Sequence, residues 1–106
     1  MNTRNFTLRL KANCAQELNR IVETNIIPML RKHKGFRDEI SFVAPERSEA
    51  LVISIWDTNT DADNYMRTGY PEVLKALSNV TDGTAKVETF ELSASTFHHK
   101  VAGQGA

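Results

Sequence analysis

The sequence predicts an α+β fold of the split βαβ type: a four-stranded antiparallel sheet with helices on one face. Three observations carry this expectation. Hydrophobic spacing switches between a period of two and a helical period, in the order strand, helix, strand, strand, helix, strand. The two middle strands are joined by a connection too short for a parallel crossover. A chain of 106 residues suits one core of this kind, so residues 1–106 are read as a single domain.

Phe6, Leu8 and Leu10 alternate with Thr7, Arg9 and Lys11, which predicts a first strand over residues 5–11 with one buried face. Asn13, with Gln16 three residues on, reads as a helix N-cap and its capping-box partner. Leu18, Ile21, Val22, Ile26, Met29 and Leu30 then recur at helical spacing, predicting a helix over residues 14–34. Pro28 must bend or interrupt it, because proline lacks an N–H and crowds the preceding turn. Arg31, Lys32, His33 and Lys34 bring positive charge to the negative helix end, and Gly35 supplies a left-handed final residue.

From Phe36 the period returns to two. Phe36, Ile40, Phe42 and Ala44 alternate with Arg37, Glu39 and Ser41. A turn at residues 45–48 leads into a strand over residues 50–56, giving an antiparallel hairpin. That strand is apolar on both sides, with Leu51, Ile53 and Ile55 on one and Val52 and Trp56 on the other. Thr60 and Asp63 resemble a second N-cap pair, opening a helix through Ala62 and Met66 that breaks near Gly69. Pro71 suits the first turn of a new helical segment, whose apolar stripe is Val73, Leu74, Leu77 and Val80. Asp82-Gly83 reads as a turn, residues 85–97 as the last strand and residues 98–106 as a frayed tail.

In this order of elements, known as ferredoxin-like, Phe6, Leu8, Leu10, Leu51, Ile53 and Ile55 are the expected helix-facing set. Val52 and Trp56, with residues around Val43, then fall on a sheet face that no remaining segment covers. Such a patch predicts a homodimer closed by two sheets packed face to face.

Composition narrows the function classes. Apolar residues make up 41% and charged residues 25%, and 13 basic residues cancel 13 acidic ones. This is a globular composition. It lacks the basic excess expected of a nucleic-acid binder or of attachment to an anionic membrane. The lone Cys14 rules out an intrachain disulfide, and no apolar stretch approaches the ~20 residues of a membrane span. With no signal-peptide pattern at residues 1–5, the expected location is cytoplasmic.

Three segments carry a family resemblance. Residues 27–36 (IPMLRKHKGF) look like the end of a first helix and the Gly-Phe opening of the next strand. Residues 52–58 (VISIWDT) look like a strand ending in Trp, an acidic residue and a hydroxyl residue. Residues 89–92 (TFEL), with Ser95-Thr96, look like the last strand. Together they resemble the antibiotic-biosynthesis-monooxygenase-like group of dimeric α+β barrels.

That resemblance implies a cofactor-independent monooxygenase, acting with O2 on a small aromatic or quinone-like molecule without metal or flavin. It implies Trp56 as the strand-end Trp of the quinone-forming members. Their Asn four residues earlier corresponds to Val52, and their helix Tyr corresponds to Ala62 or Asp63, with Tyr65 the nearest aromatic hydroxyl. Phe6, Tyr65 and Leu77 stand where the haem-degrading members carry Asn, Trp and His, which disfavours haem chemistry.

Trp56, Tyr65 and Tyr70 are the candidate substrate-binding residues. Tyr65 and Tyr70 flank the helix break at Gly69, and their hydroxyls suit a phenolic ligand. No general base is identifiable. Cys14 reads as a small residue near a helix start rather than a nucleophile. His33 reads as a complement to the helix dipole, as do Asp61 and Asp63 at their helix start. The adjacent His98 and His99 point to opposite faces of an extended chain, so no metal site is expected there. The alternative function is a non-catalytic homodimer of the same fold that binds a small ligand or serves a structural role.

Overall fold

The structure, a computed structural model, describes residues 1–94. Strand β1 (Asn2–Leu10) is followed by a helical run: α1 (Ala15–Ile21), a π-helical segment (Val22–Ile26) and α2 (Ile27–Leu30). The hairpin β2 (Phe36–Ala44) and β3 (Glu49–Trp56) comes next, then α3 (Asn59–Thr68), α4 (Tyr70–Leu77) and β4 (Thr81–Glu91). The four strands form one antiparallel sheet in the order β2-β3-β1-β4, the ferredoxin-like arrangement expected.

The first helical run is shorter than predicted, and its interruption takes a specific form. The Ile27 N–H bonds to the Val22 carbonyl, five residues back. Pro28 has no N–H for the ordinary four-residue partner, and the widened turn ahead of it absorbs that defect. The run ends at Leu30, and Gly35 takes φ +82° where the chain turns into β2.

Both predicted N-caps are displaced. Cys14, not Asn13, occupies the cap of α1 and makes no side-chain cap bond. Asn13 instead adopts φ +60°, a conformation asparagine tolerates better than most residues. The cap of α3 is Thr58, whose hydroxyl accepts from the Asp61 N–H at 3.0 Å, rather than Thr60. Asp82-Gly83 is not a turn but part of β4. Gly83 at φ +72° sits in a bulge, where the register jumps between Thr7 and Arg9. The last strand, expected over residues 85–97, runs from Thr81 to Glu91, and residues 92–94 are not in a strand; residues 95–97 and the expected tail at 98–106 lie outside the described residues.

The expected sidedness of β3 is reversed. Its register pairs Val52 with Phe6, Ser54 with Arg4 and Trp56 with Asn2, so the even-numbered residues of both strands share the helix-covered face. Val52 and Trp56 are 2% and 0% exposed in the core, whereas Leu51, Ile53 and Ile55 are half-buried on the open face. A strand apolar on both sides carries no hydropathy signal of its orientation, so the partner's register decides it.

The sidedness of β2 changes along its length for a different reason. A bulge between Phe36 and Asp38 inserts one residue opposite β3. Phe36 therefore shares the helix side with Glu39, Ser41 and Val43, and Ile40 and Phe42 turn to the open face.

Candidate functional site

The helix side of the sheet, at the C-terminal end of β3, gathers aromatic rings from five segments. Trp56 ends β3, and its indole N–H donates to Ser54 Oγ at 2.9 Å. The Tyr65 ring from α3 stacks on it, with centroids 4.8 Å apart and planes 23° apart. Phe36 meets Trp56 edge-on at 5.6 Å. Tyr70, at the start of α4, stacks on Phe6 of β1 at 4.5 Å and lies 6.5 Å from Tyr65. The structure thus brings Trp56, Tyr65 and Tyr70 together. Trp56 and Tyr65 are fully buried and Tyr70 is partly exposed, so Tyr70 is the one of the three that solvent reaches.

His33 packs edge-on against both Tyr65 (5.6 Å) and Trp56 (6.2 Å). It is an aromatic neighbour of the cluster as well as part of the basic helix end. Gly69 makes this packing possible: a Cβ there would lie 2.7 Å from His33 Nε2 and 2.8 Å from the Tyr65 ring.

Beneath the cluster lies a buried cation that the sequence did not reveal. Arg4 is 3% exposed and reaches Asp63 Oδ1 at 2.7 Å, Asn59 Oδ1 at 2.9 Å and the Thr3 carbonyl at 3.1 Å. Asp63 therefore ties α3 to β1, which is more than complementing a helix dipole. Asp61 is itself buried and packs against Gly35, where an added Cβ would lie 2.1 Å from its carboxylate.

Glu39 is the second residue that sequence reasoning missed. Simple alternation in β2 placed it on the solvent side; the bulge turns it inward, opposite Ser54. Ser41 donates a hydrogen bond to its carboxylate. Burial raises the Glu39 carboxyl above its ordinary value, and the Ser41 bond offsets part of that. Burial likewise raises the Tyr65 phenol, with smaller contributions from Tyr70 and from the charge of Glu39. Tyr70 is raised by burial as well. Both phenols are therefore neutral hydrogen-bonding groups at pH 7. The cluster combines mutually stacked aromatic rings, neutral hydroxyls and one carboxylate, chemistry that matches a planar aromatic ligand with a phenolic oxygen.

No protein-family model and no curated protein matches the chain, but solved structures do. SnoaB, a cofactor-independent oxygenase from Streptomyces nogalater, aligns with a TM-score of 0.71 and 12% identity, over 90% of this chain and 95% of that one. A proposed antibiotic biosynthesis monooxygenase from Deinococcus radiodurans aligns with a TM-score of 0.67 and 21% identity, over 90% and 95% of the two chains. Another, from Bordetella bronchiseptica, aligns with a TM-score of 0.72 and 10% identity, over 88% and 97%. The chain has the antibiotic biosynthesis monooxygenase fold. Identities of this size establish shared architecture, and chemistry has to be argued from the residues.

Within that fold, Phe6, Tyr65 and Leu77, which stand at the haem-handling positions of the resemblance, are all core side chains no more than 2% exposed. Val52, at the position of the oxygenase Asn, is equally buried. Among the described residues, no group of three or more His, Cys, Asp or Glu side chains is arranged to hold a metal ion. His98 and His99 lie outside the described residues. Also among the described residues, no helix is long and apolar enough to cross a membrane. A cleft of about 410 Å³ opens at the opposite end of the sheet, lined by Leu10, Cys14, Val43, Pro45 and their neighbours. It shares no residue with the aromatic cluster, and Lys11, Asn13, Gln16 and Ser48 give it polar side chains of its own.

Proposed function

We propose that this protein is a homodimeric, cofactor-independent monooxygenase that oxidises a small polycyclic phenol or related quinone precursor with O2. The observation that carries this reading is the convergence of Trp56, Tyr65 and Tyr70 on the helix side of a sheet with the architecture of SnoaB, itself a cofactor-independent oxygenase. Chemistry without a cofactor requires the substrate to be its own electron donor. At a reactive ring carbon, a CH2 group and O2 become a carbonyl and water, so atoms and electrons balance with no external reductant. The protein's part is to favour the substrate anion, exclude water and orient the ring. Aromatic walls supply the exclusion and orientation, and the Tyr70 hydroxyl supplies a hydrogen bond to the anion.

The open sheet face supports a dimer, with a different set of residues from the one expected. Ile40 and Phe42 of β2, Leu51, Ile53 and Ile55 of β3, and Phe90 of β4 share that face by register. Phe42 and Phe90 are 57% and 51% exposed.

O2 consumption with an anthrone-type substrate tests the activity. Uptake matched by quinone formation and insensitive to chelators and catalase is expected. Tyr70→Phe should lower it while moving stability by only about 1 kcal/mol or less. Absence of uptake with every such substrate would leave a non-catalytic binding protein.

A further inference from the structure

Cofactor-independent oxidation begins with loss of a proton; the Tyr and Trp rings offer no group to take it, and His33 has its Nε2 packed against Gly69. Tyr65 and Tyr70 are both held neutral by burial. Trp56 is a donor already committed to Ser54. Glu39 is different. It stands on the helix side of β2, directly across the register from Ser54, the residue that holds the Trp56 indole. It is close enough to Tyr65 for its charge to disfavour the Tyr65 phenolate. Its one side-chain partner is Ser41, a neutral donor, and none of the ion pairs among the described residues involves it. Because β2 is an edge strand and Glu39 is only half-buried, the carboxylate lies on the accessible border of the cluster, like Tyr70.

We propose that Glu39 is the general base of this site, taking the acidic proton of a phenolic or anthrone-type ligand held against Tyr70. The proposal rests on the reading of the cluster as the ligand site. In the step, the ligand's O–H or C–H bond breaks and its electron pair stays on the ligand as the anion. A new O–H bond forms on the Glu39 carboxylate. Net charge is unchanged, since the negative charge moves from Glu39 to the ligand. The resulting carboxylic acid does not repel the new anion and can donate a hydrogen bond to it. A carboxylate poorly solvated and without a cationic partner is a stronger base than a free one, which narrows the gap to a weakly acidic ligand. Ser41 holds the carboxylate in place.

The test is an anaerobic titration of the full chain with 1,8-dihydroxyanthrone, followed by O2 uptake. Trp56 is the sole tryptophan, so its fluorescence reports binding. Wild type should show quenching together with the ligand's anion absorption band. Glu39→Gln should show the quenching without the band, and its O2 uptake should fall by about a hundredfold or more. A dinitronaphthol, which arrives already ionised, needs no base and is repelled by the ionised Glu39, so Glu39→Gln should bind it at least as tightly as wild type. Glu39→Gln that keeps the anion band and wild-type uptake would overturn the base assignment alone. A wild type that shows the band, lost in Glu39→Gln, but consumes no O2 would uphold Glu39 and overturn the oxygenase reading. A wild type whose fluorescence is not quenched would overturn both. Melting curves of the two proteins show that the variant is folded.

Discussion

At the scale of single residues, Glu39 and Trp56 make opposite demands on stability. The Glu39 carboxyl is raised in the folded protein, so the folded state binds its proton more tightly than the unfolded state does. The ionised side chain therefore costs stability above the raised value, and the cost disappears below the ordinary value of 4.5, where both states are protonated. Glu39→Gln is expected to raise Tm at pH 7, with the gain fading as pH falls toward 4; a Tm difference independent of pH would contradict this. Trp56 is wholly enclosed, so Trp56→Asp places a charge in the core and should abolish folding rather than dissociate a dimer. Circular dichroism of the purified variant checks it. Two of the three candidate residues were legible as rare aromatic side chains beside a helix break, and Trp56 as the sole tryptophan at a strand end. Glu39 was not legible. A bulge at Arg37 reverses strand parity locally, and no glycine or proline marks it.

The elements were legible to the extent that one signal dominated each of them. Alternation located the β2–β3 hairpin, and Gly69-Tyr70-Pro71 located the break between α3 and α4, where Pro71 stands in the first turn. Caps were less legible because several hydroxyl and amide side chains compete within a few positions, and backbone geometry chooses among them. Thr58, with extended backbone at φ −134°, holds the Asp61 N–H, whereas Thr60 is already inside the helix. Thr58→Ala should therefore cost about 1 kcal/mol, whereas Thr60→Ala, at an exposed position inside the helix, should be neutral or stabilising by a few tenths. Equal losses in chemical denaturation would contradict the assignment. Gly35 turns the chain into β2 at φ +82° with Asp61 against it, so Gly35→Ala has neither the backbone freedom nor the room it needs. Its loss should exceed that of Gly83→Ala, which is equally left-handed but faces open space.

At the scale of the molecule, the sheet has two apolar faces and helices for only one. Hydropathy revealed that a face would be left uncovered; it could not tell which residues lie on it, because β3 is apolar at both parities. The register puts Ile40, Phe42, Leu51, Ile53, Ile55 and Phe90 on the uncovered face. Phe42→Asp should therefore yield a folded monomer by light scattering at micromolar concentration, where wild type should be a dimer. A monomeric wild type, or a variant that remains dimeric, would contradict the sheet-to-sheet interface. The two ends of the molecule also compete as ligand sites. The cluster of Trp56, Tyr65, Tyr70 and Glu39 offers aromatic rings beside a carboxylate, and the cleft beside Cys14 offers volume with polar side chains from Lys11, Asn13, Gln16 and Ser48. The measurement that separates them is a crystal structure with a polycyclic phenol bound. The ligand's ring is expected against Tyr70, with its oxygen within hydrogen-bonding distance of Tyr70 or Glu39. A ligand seated instead in the cleft lined by Leu10, Cys14 and Val43, with the aromatic cluster unoccupied, would contradict it.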